Sequence, residues 1–124
     1  STIFLLLLLT SCSENFDSIN PTEFNQRISK RTDIKTAKEL IEIYYDYPKN
    51  EGVPKLTFKN KIINEELIEI TLIHDYQEDD SERAIKIIMT AELKNKKWSV
   101  KEIKKNRKCW DGRGHTNWGI ELCN

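Results

Sequence analysis

The stretch Cys109-Trp110-Asp111-Gly112-Arg113-Gly114-His115-Thr116-Asn117-Trp118, followed by Cys123, gathers the side chains best suited to chemistry. A guanidinium grips a carboxylate or phosphate through two parallel N–H bonds, an imidazole changes charge near neutral pH, and indoles offer stacking walls. Arg113 and His115, with Trp110, Trp118 and Asp111 beside them, are therefore candidates for binding an anionic ligand. Gly112 and Gly114 permit positive φ on either side of Arg113, so the loop can turn sharply. A second reading is local. Arg113 pairs with Asp111 or a strand carboxylate, and His115 bonds the loop backbone, so that the tail is locked onto the rest of the molecule. Gly-rich loops need internal polar bonds, and this favours the second reading. A third uses Asp111, Arg113 and His115 as a hydrolytic or transfer site, but no nucleophile–base pair, metal constellation or phosphate loop accompanies them.

At the other end an unbroken apolar run, Ile3 to Leu9, meets Thr10, Ser11 and Cys12, and the chain then turns polar. That is the profile of an export signal, and the run is shorter than the roughly 18 apolar residues a membrane span requires. Leu9-Thr10-Ser11-Cys12 resembles the bacterial lipobox. The resemblance implies cleavage before Cys12, acylation of that cysteine, and anchoring in a bacterial cell envelope through more than one acyl chain. Ser13 after the cysteine leans towards the outer membrane.

With Cys12 acylated, Cys109 and Cys123 remain in an oxidising compartment, where such a pair couples. A metal site would need further ligands, and the two histidines supply no compact Cys/His spacing. The expectation is a disulfide closing the tail, with no metal and no cofactor. The tail pattern C-W-x-G-R-G-H-x-x-W-x-x-x-x-C, with the acidic turn Asp79-Asp80-Ser81 ahead of it, resembles a group of small bacterial lipoproteins and secreted proteins of unknown function. That likeness extends over about residues 65–124 and implies a shared fold without an activity.

The elements that must position this tail are legible in the patterning. Thr36 and Glu39 form a capping box, and Ala37, Leu40, Ile41, Tyr44 and Tyr47 share one helical face before Pro48, Gly52 and Pro54 end the pattern. The spacing predicts a helix over 37–47, with Tyr44, Tyr45 and Tyr47 packed against a sheet. Residues 67–75 and 84–93 alternate with period two. Asn95-Lys96 suits a tight turn before Trp98, Val100 and Ile103, and the break in alternation at Ile103 predicts a β-bulge. Pro54 to Ile63 supplies a further strand. The expected class is α+β: an N-terminal helix packed on a curved antiparallel sheet of three to four strands, cystatin-like by analogy, with a disulfide-stapled C-terminal tail. Residues 1–11 read as the leader, 12–34 as the acylated cysteine and a polar tether that can end in a short helix, and 35–124 as one domain.

Charge narrows the partners. Twenty Lys and Arg balance twenty Asp and Glu, so no global field points to nucleic acid. Locally, seven lysines and one arginine lie between Lys94 and Lys108 against the single acid Glu102. Such a stripe suits anionic headgroups or cell-wall polymers, although lysines on strand faces also discourage edge pairing. The acidic run from Glu78 to Glu82 lacks Ca²⁺-loop spacing and reads as a solvated turn. His74, beside Asp75 on a strand, reads as a hydrogen-bonded structural histidine. The combined expectation is a membrane-anchored, non-enzymatic module that binds an envelope protein, glycan or anionic lipid. The alternatives are an envelope hydrolase or transferase using the tail, and a purely structural lipoprotein.

Overall fold

The computed structural model describes residues 14–46, 55–77 and 79–124. Cys12, Tyr47, Pro48 and Glu78 lie outside them. The chain is α+β and runs β1 (Asp17–Ile19), α1 (Thr22–Ile28), α2 (Ala37–Tyr44), β2 (Lys55–Ile62), β3 (Leu67–Asp75), β4 (Glu82–Lys94) and β5 (Lys97–Cys109). The strands form one open sheet in the order β1-β5-β4-β3-β2, with every neighbouring pair antiparallel.

Period-two patterning fixes which residues share a face. Ile70 lies opposite Met89, Leu72 opposite Ile87 and His74 opposite Ile85, and Met89 in turn lies opposite Ile103. These residues form one core cluster with Phe24 and Ile28 of α1 and with Ala37, Leu40 and Ile41 of α2, His74 excepted. Phe24 and Tyr44 meet edge to face, with ring centroids 5.3 Å apart. The opposite face of the sheet carries Thr57, Thr71, Ile73, Ala84, Lys86, Ile88, Lys104, Asn106 and Lys108, read from the same registers.

Thr36 caps α2 as expected, its Oγ1 accepting from the Glu39 N–H at 3.1 Å. Glu39 reaches back one residue further than the standard box, to the Lys35 N–H at 3.0 Å. The helix stops at Tyr44, and Tyr45 is already extended, at φ −103° and ψ 94°. The 95–96 turn has φ of 53° at Asn95 and 61° at Lys96, the positive pair that a two-residue type I′ hairpin demands. Two register shifts interrupt the β4–β5 ladder. Lys101 is the extra residue between the Thr90–Glu102 and Ala91–Val100 pairs, and Arg83 the extra one between the Glu82–Cys109 and Ala84–Lys108 pairs. The first is the bulge that Ile103 signalled. The second turns Glu82 towards Arg107, whose Nε lies 3.2 Å from its carboxylate.

Two expectations need correction. The sheet has five strands and not three to four, because the segment expected to be a polar tether contributes β1; the short helix in which that tether could end is α1. The reason is the outer edge of β5, which would otherwise leave a row of unpaired backbone groups. β1 pairs with it from Ile103 to Lys105. Where β1 stops, the Asn25 side chain of α1 takes both backbone groups of Val100, at 2.9 and 2.7 Å. Beyond Lys105 the C-terminal tail takes over, with Gly119 and Arg107 exchanging two backbone bonds of 2.9 Å and the Cys109 N–H meeting the His115 carbonyl at 2.9 Å.

Candidate functional site

The tail is held from inside and from below. Cys109 and Cys123 are joined by a disulfide, with Cα atoms 5.5 Å apart. Gly112 and Gly114 take φ of 82° and 142°, and a Cβ on Gly114 would sit 3.0 Å from the Cys109 sulfur, so the loop closes tightly over the bridge. The acidic turn is the seat. Asp79 Oδ1 accepts from the Ser81 and Glu82 N–H groups at 2.8 and 2.7 Å, and these bonds hold its carboxyl below the usual range. The turn so shaped offers the Asp79 carbonyl to the Trp110 indole N–H at 2.7 Å and the Ser81 carbonyl to the Trp110 backbone N–H at 2.9 Å. The Ser81 hydroxyl donates to the Asn124 carbonyl at 2.7 Å.

His115 is the lock within the tail. Nδ1 lies 2.8 Å from the Asn117 carbonyl and Nε2 lies 2.9 Å from the Glu121 carbonyl. Carbonyls only accept, so both bonds form together only in the imidazolium, and the pKa is raised by these backbone contacts, the Glu121 one first. Neither ring nitrogen is free to take a proton from a substrate. Gly119 is small for the same reason, since a Cβ there would come 3.1 Å from the imidazole. Arg113 reaches the Asn124 carbonyl at 3.4 Å, and its backbone N–H closes a turn onto the Trp110 carbonyl at 2.9 Å. Asp111 and Arg113 are exposed, and no ion pair joins them among the described residues. The five tail candidates therefore do not converge. Trp110 and His115 hold the tail, and Asp111 and Arg113 stand at its surface.

Trp118 is different. Its ring lies 4.3 Å from Lys86 Nζ and 4.7 Å from Lys108 Nζ, on the sheet face that these lysines share. Together with Lys55, Leu56, Thr57, Ile73, Asp75, Tyr76 and Lys108 it lines an open groove of about 530 Å³. Lys55 Nζ stands 4.5 Å from the Tyr76 ring. Arg83 spans Tyr76 and Trp110 at 4.6 and 5.8 Å while its Nε meets Asp75 at 3.2 Å. Cations over aromatic faces are attracted by the ring quadrupole. The result is an aromatic-walled strip with ammonium groups at its margin.

Patterning alone did not reveal the floor of this region. Lys86 is buried, and its Nζ lies 2.6 Å from Glu14 Oε2, which also accepts from Asn106 Nδ2 at 3.1 Å. The Asn106 amide also reaches the Asn15 carbonyl at 3.2 Å, while its Oδ1 is buried without a partner. The bonds from Lys86 and Asn106 outweigh partial burial and lower the Glu14 pKa. The sequence offered one faint signal, a lysine inside the otherwise apolar run from Ala84 to Met89.

On the sheet face of Ile70 and Leu72, His74 is the structural histidine expected. It is buried, and its Nδ1 lies 2.7 Å from the Tyr45 hydroxyl. Burial lowers the His74 pKa and pushes Tyr45 up to about 12, so both partners of this bond favour their neutral forms. Among the described residues no group of three or more His, Cys, Asp or Glu is placed to hold a metal, and no helix is long and apolar enough to cross a membrane. Comparison with protein-family models, with curated proteins and with solved structures finds no match for this chain.

Proposed function

We propose that the chain is a membrane-anchored lipoprotein of the bacterial cell envelope, held through acylated Cys12, whose domain is a non-enzymatic module that binds an anionic envelope component. The observation that carries the reading is Trp118 beside Lys108, at the margin of a groove that also presents Lys55 and Tyr76. Flat rings stack on a sugar or an acyl–headgroup boundary, and ammonium groups select negative charge. The residue following Cys12 favours the outer membrane. In the finer reading of the fold, α2 crosses a curved sheet in a cystatin-like arrangement, which leaves the opposite face open for the ligand.

Catalysis by Asp111, Arg113 and His115 has less support, because His115 spends both ring nitrogens on carbonyls. A purely structural role would leave the Trp118 groove without a ligand.

The test has two parts. Intact mass of the membrane-extracted full-length protein should match cleavage before Cys12 plus acyl chains. Tryptophan emission of the same protein should change on titration with dextran sulfate and not with uncharged dextran, and the change should weaken in Lys108→Gln and in high salt. An unacylated mass removes the anchor. Equal responses to the two polymers remove the anionic specificity.

A further inference from the structure

The position of Glu14 constrains more than the sheet it touches. It lies two residues after Cys12 and is clamped to Lys86 Nζ and Asn106 Nδ2, at 2.6 and 3.1 Å. From there the chain enters β1 and stays in the fold. Two residues of fully extended chain span at most about 7 Å. Whatever course residues 12 and 13 take, the root of the acyl chains stays within that distance of Glu14, beside the sheet face that carries Trp118. A lipid anchor rooted there cannot act as a long tether.

We propose that the acylated protein lies with the Trp118 face of its sheet against the bilayer, and that the anionic ligand of that face is the headgroup layer of the membrane that anchors it. The inference rests on the reading above, both on acylation of Cys12 and on an anionic ligand for the groove.

Three further observations fit this orientation. Trp118 presents an indole on the same face, and indoles settle at the level of lipid headgroups, where one edge is apolar and the other wet. Phe16 lies close by, with Lys86 Nζ and Lys104 Nζ 5.9 and 6.0 Å from its ring. The charges on this face are not all spent internally. Glu14 answers Lys86 and Glu102 answers Lys104 at 3.1 Å; Glu14 also attracts Lys108 from a distance, but among the described residues no carboxylate forms a direct ion pair with Lys55 or Lys108. Two ammonium groups at the groove margin are left to meet phosphate, and basic residues beside a lipid anchor strengthen its attachment to anionic membranes. The other face of the sheet offers no equivalent surface, since its residues share a core with α1 and α2.

The experiment uses the acylated full-length protein, its mass verified, reconstituted into vesicles of phosphatidylcholine with or without phosphatidylglycerol, with chains brominated near the headgroup as quenchers. Wild-type emission should be quenched, more strongly with phosphatidylglycerol. The quenching should fall in Trp118→Phe by the share that Trp118 carries: Trp98 bonds the Ile34 carbonyl and does not line the groove, whereas Trp110, bonded to the Asp79 carbonyl, stays 6.1 Å from the Tyr76 ring at the groove's edge and keeps its own contribution. Lys108→Gln, read with all three indoles present, should lose the dependence on phosphatidylglycerol, which guards against a folding defect in the tryptophan variant. Equal quenching of wild type and Trp118→Phe, or quenching indifferent to phosphatidylglycerol, overturns the orientation. If the protein is acylated and still answers dextran sulfate but is unquenched, the orientation alone fails. If it is not acylated, the anchor and the orientation fail together.

Discussion

Asn25 and Val100 are joined twice: the Asn25 amide donates to the Val100 carbonyl at 2.9 Å, and its oxygen accepts the Val100 N–H at 2.7 Å. A single side chain from a helix thereby imitates one residue of a neighbouring strand. It does so where β5 needs it, beside the Lys101 bulge and beyond the end of β1. Val100 is only 2% exposed, so water cannot substitute easily. Asn25→Ala strands two backbone groups and should destabilise the fold by about 2 kcal/mol, seen as a lower urea midpoint. Asn25→Asp keeps the acceptor and loses the donor, and should also destabilise. A midpoint unchanged in both variants would show that β5 is closed at Val100 by something other than Asn25.

The lock at His115 should be pH-dependent. Its folded pKa is raised above the ordinary 6.5, so the stabilisation is fully present below the unfolded value and fades as pH rises through the folded one. His74 works the other way. Its folded pKa is lowered, so its contribution is present above 6.5 and lost as pH falls through the folded value. Melting curves of wild type and His115→Gln between pH 5 and 9 separate the two. The wild-type advantage should be largest at the acid end and shrink as pH rises. An advantage that grows with pH would mean that His115 is neutral in the folded tail.

Loss of the Cys109–Cys123 bridge should cost about 3 kcal/mol in the chain-entropy model, for a loop of 14 residues' separation. Cys109→Ser with Cys123→Ser should lower the melting temperature while the sheet's circular dichroism persists. The tail should become the segment that exchanges amide hydrogen fastest, because Cys109 N–H and the Gly119–Arg107 pair depend on its position. Protection of those amides equal to wild type would show that the turn at Asp79 holds the tail without the bridge.

Lys96 sits at φ 61° in the β4–β5 hairpin. A side chain there costs about 1–2 kcal/mol that glycine avoids, and Asn-Gly is the favoured pair for this turn. Lys96→Gly should stabilise the protein by about 0.5–1 kcal/mol after the entropic penalty of glycine, measured by chemical unfolding. Destabilisation would indicate a different turn in solution.

Some of this architecture was written in local pattern. The capping residues Thr36 and Glu39, the alternation of 67–75 and 84–93, the Asn95-Lys96 turn and the bulge announced by Ile103 each depend on a few adjacent residues, and each occurs where the pattern placed it. The pairing of Cys109 with Cys123 followed from counting thiols. In residues 14–34 the short helix that a polar tether could carry is α1, whereas β1, with only three residues, is too short for periodicity to register. They are ordered by what they close, the open edge of β5, and no property of their own sequence announces that.

The tail divides along the same line. Its composition pointed to glycines that turn it and a bridge that closes it, and left His115 open to an inward or an outward role. Which aromatic faces outward, and into what charge, depended on register across three strands: Lys86 and Lys108 fall on one face with Trp118, and the clamp on Glu14 joins residues 72 positions apart. Hydrogen-bonded caps, turns and alternation are short-range and can be read from neighbours. Side-chain juxtaposition across a sheet is set by register and bulges, which no local window contains, so the candidate site existed only once the strands were paired.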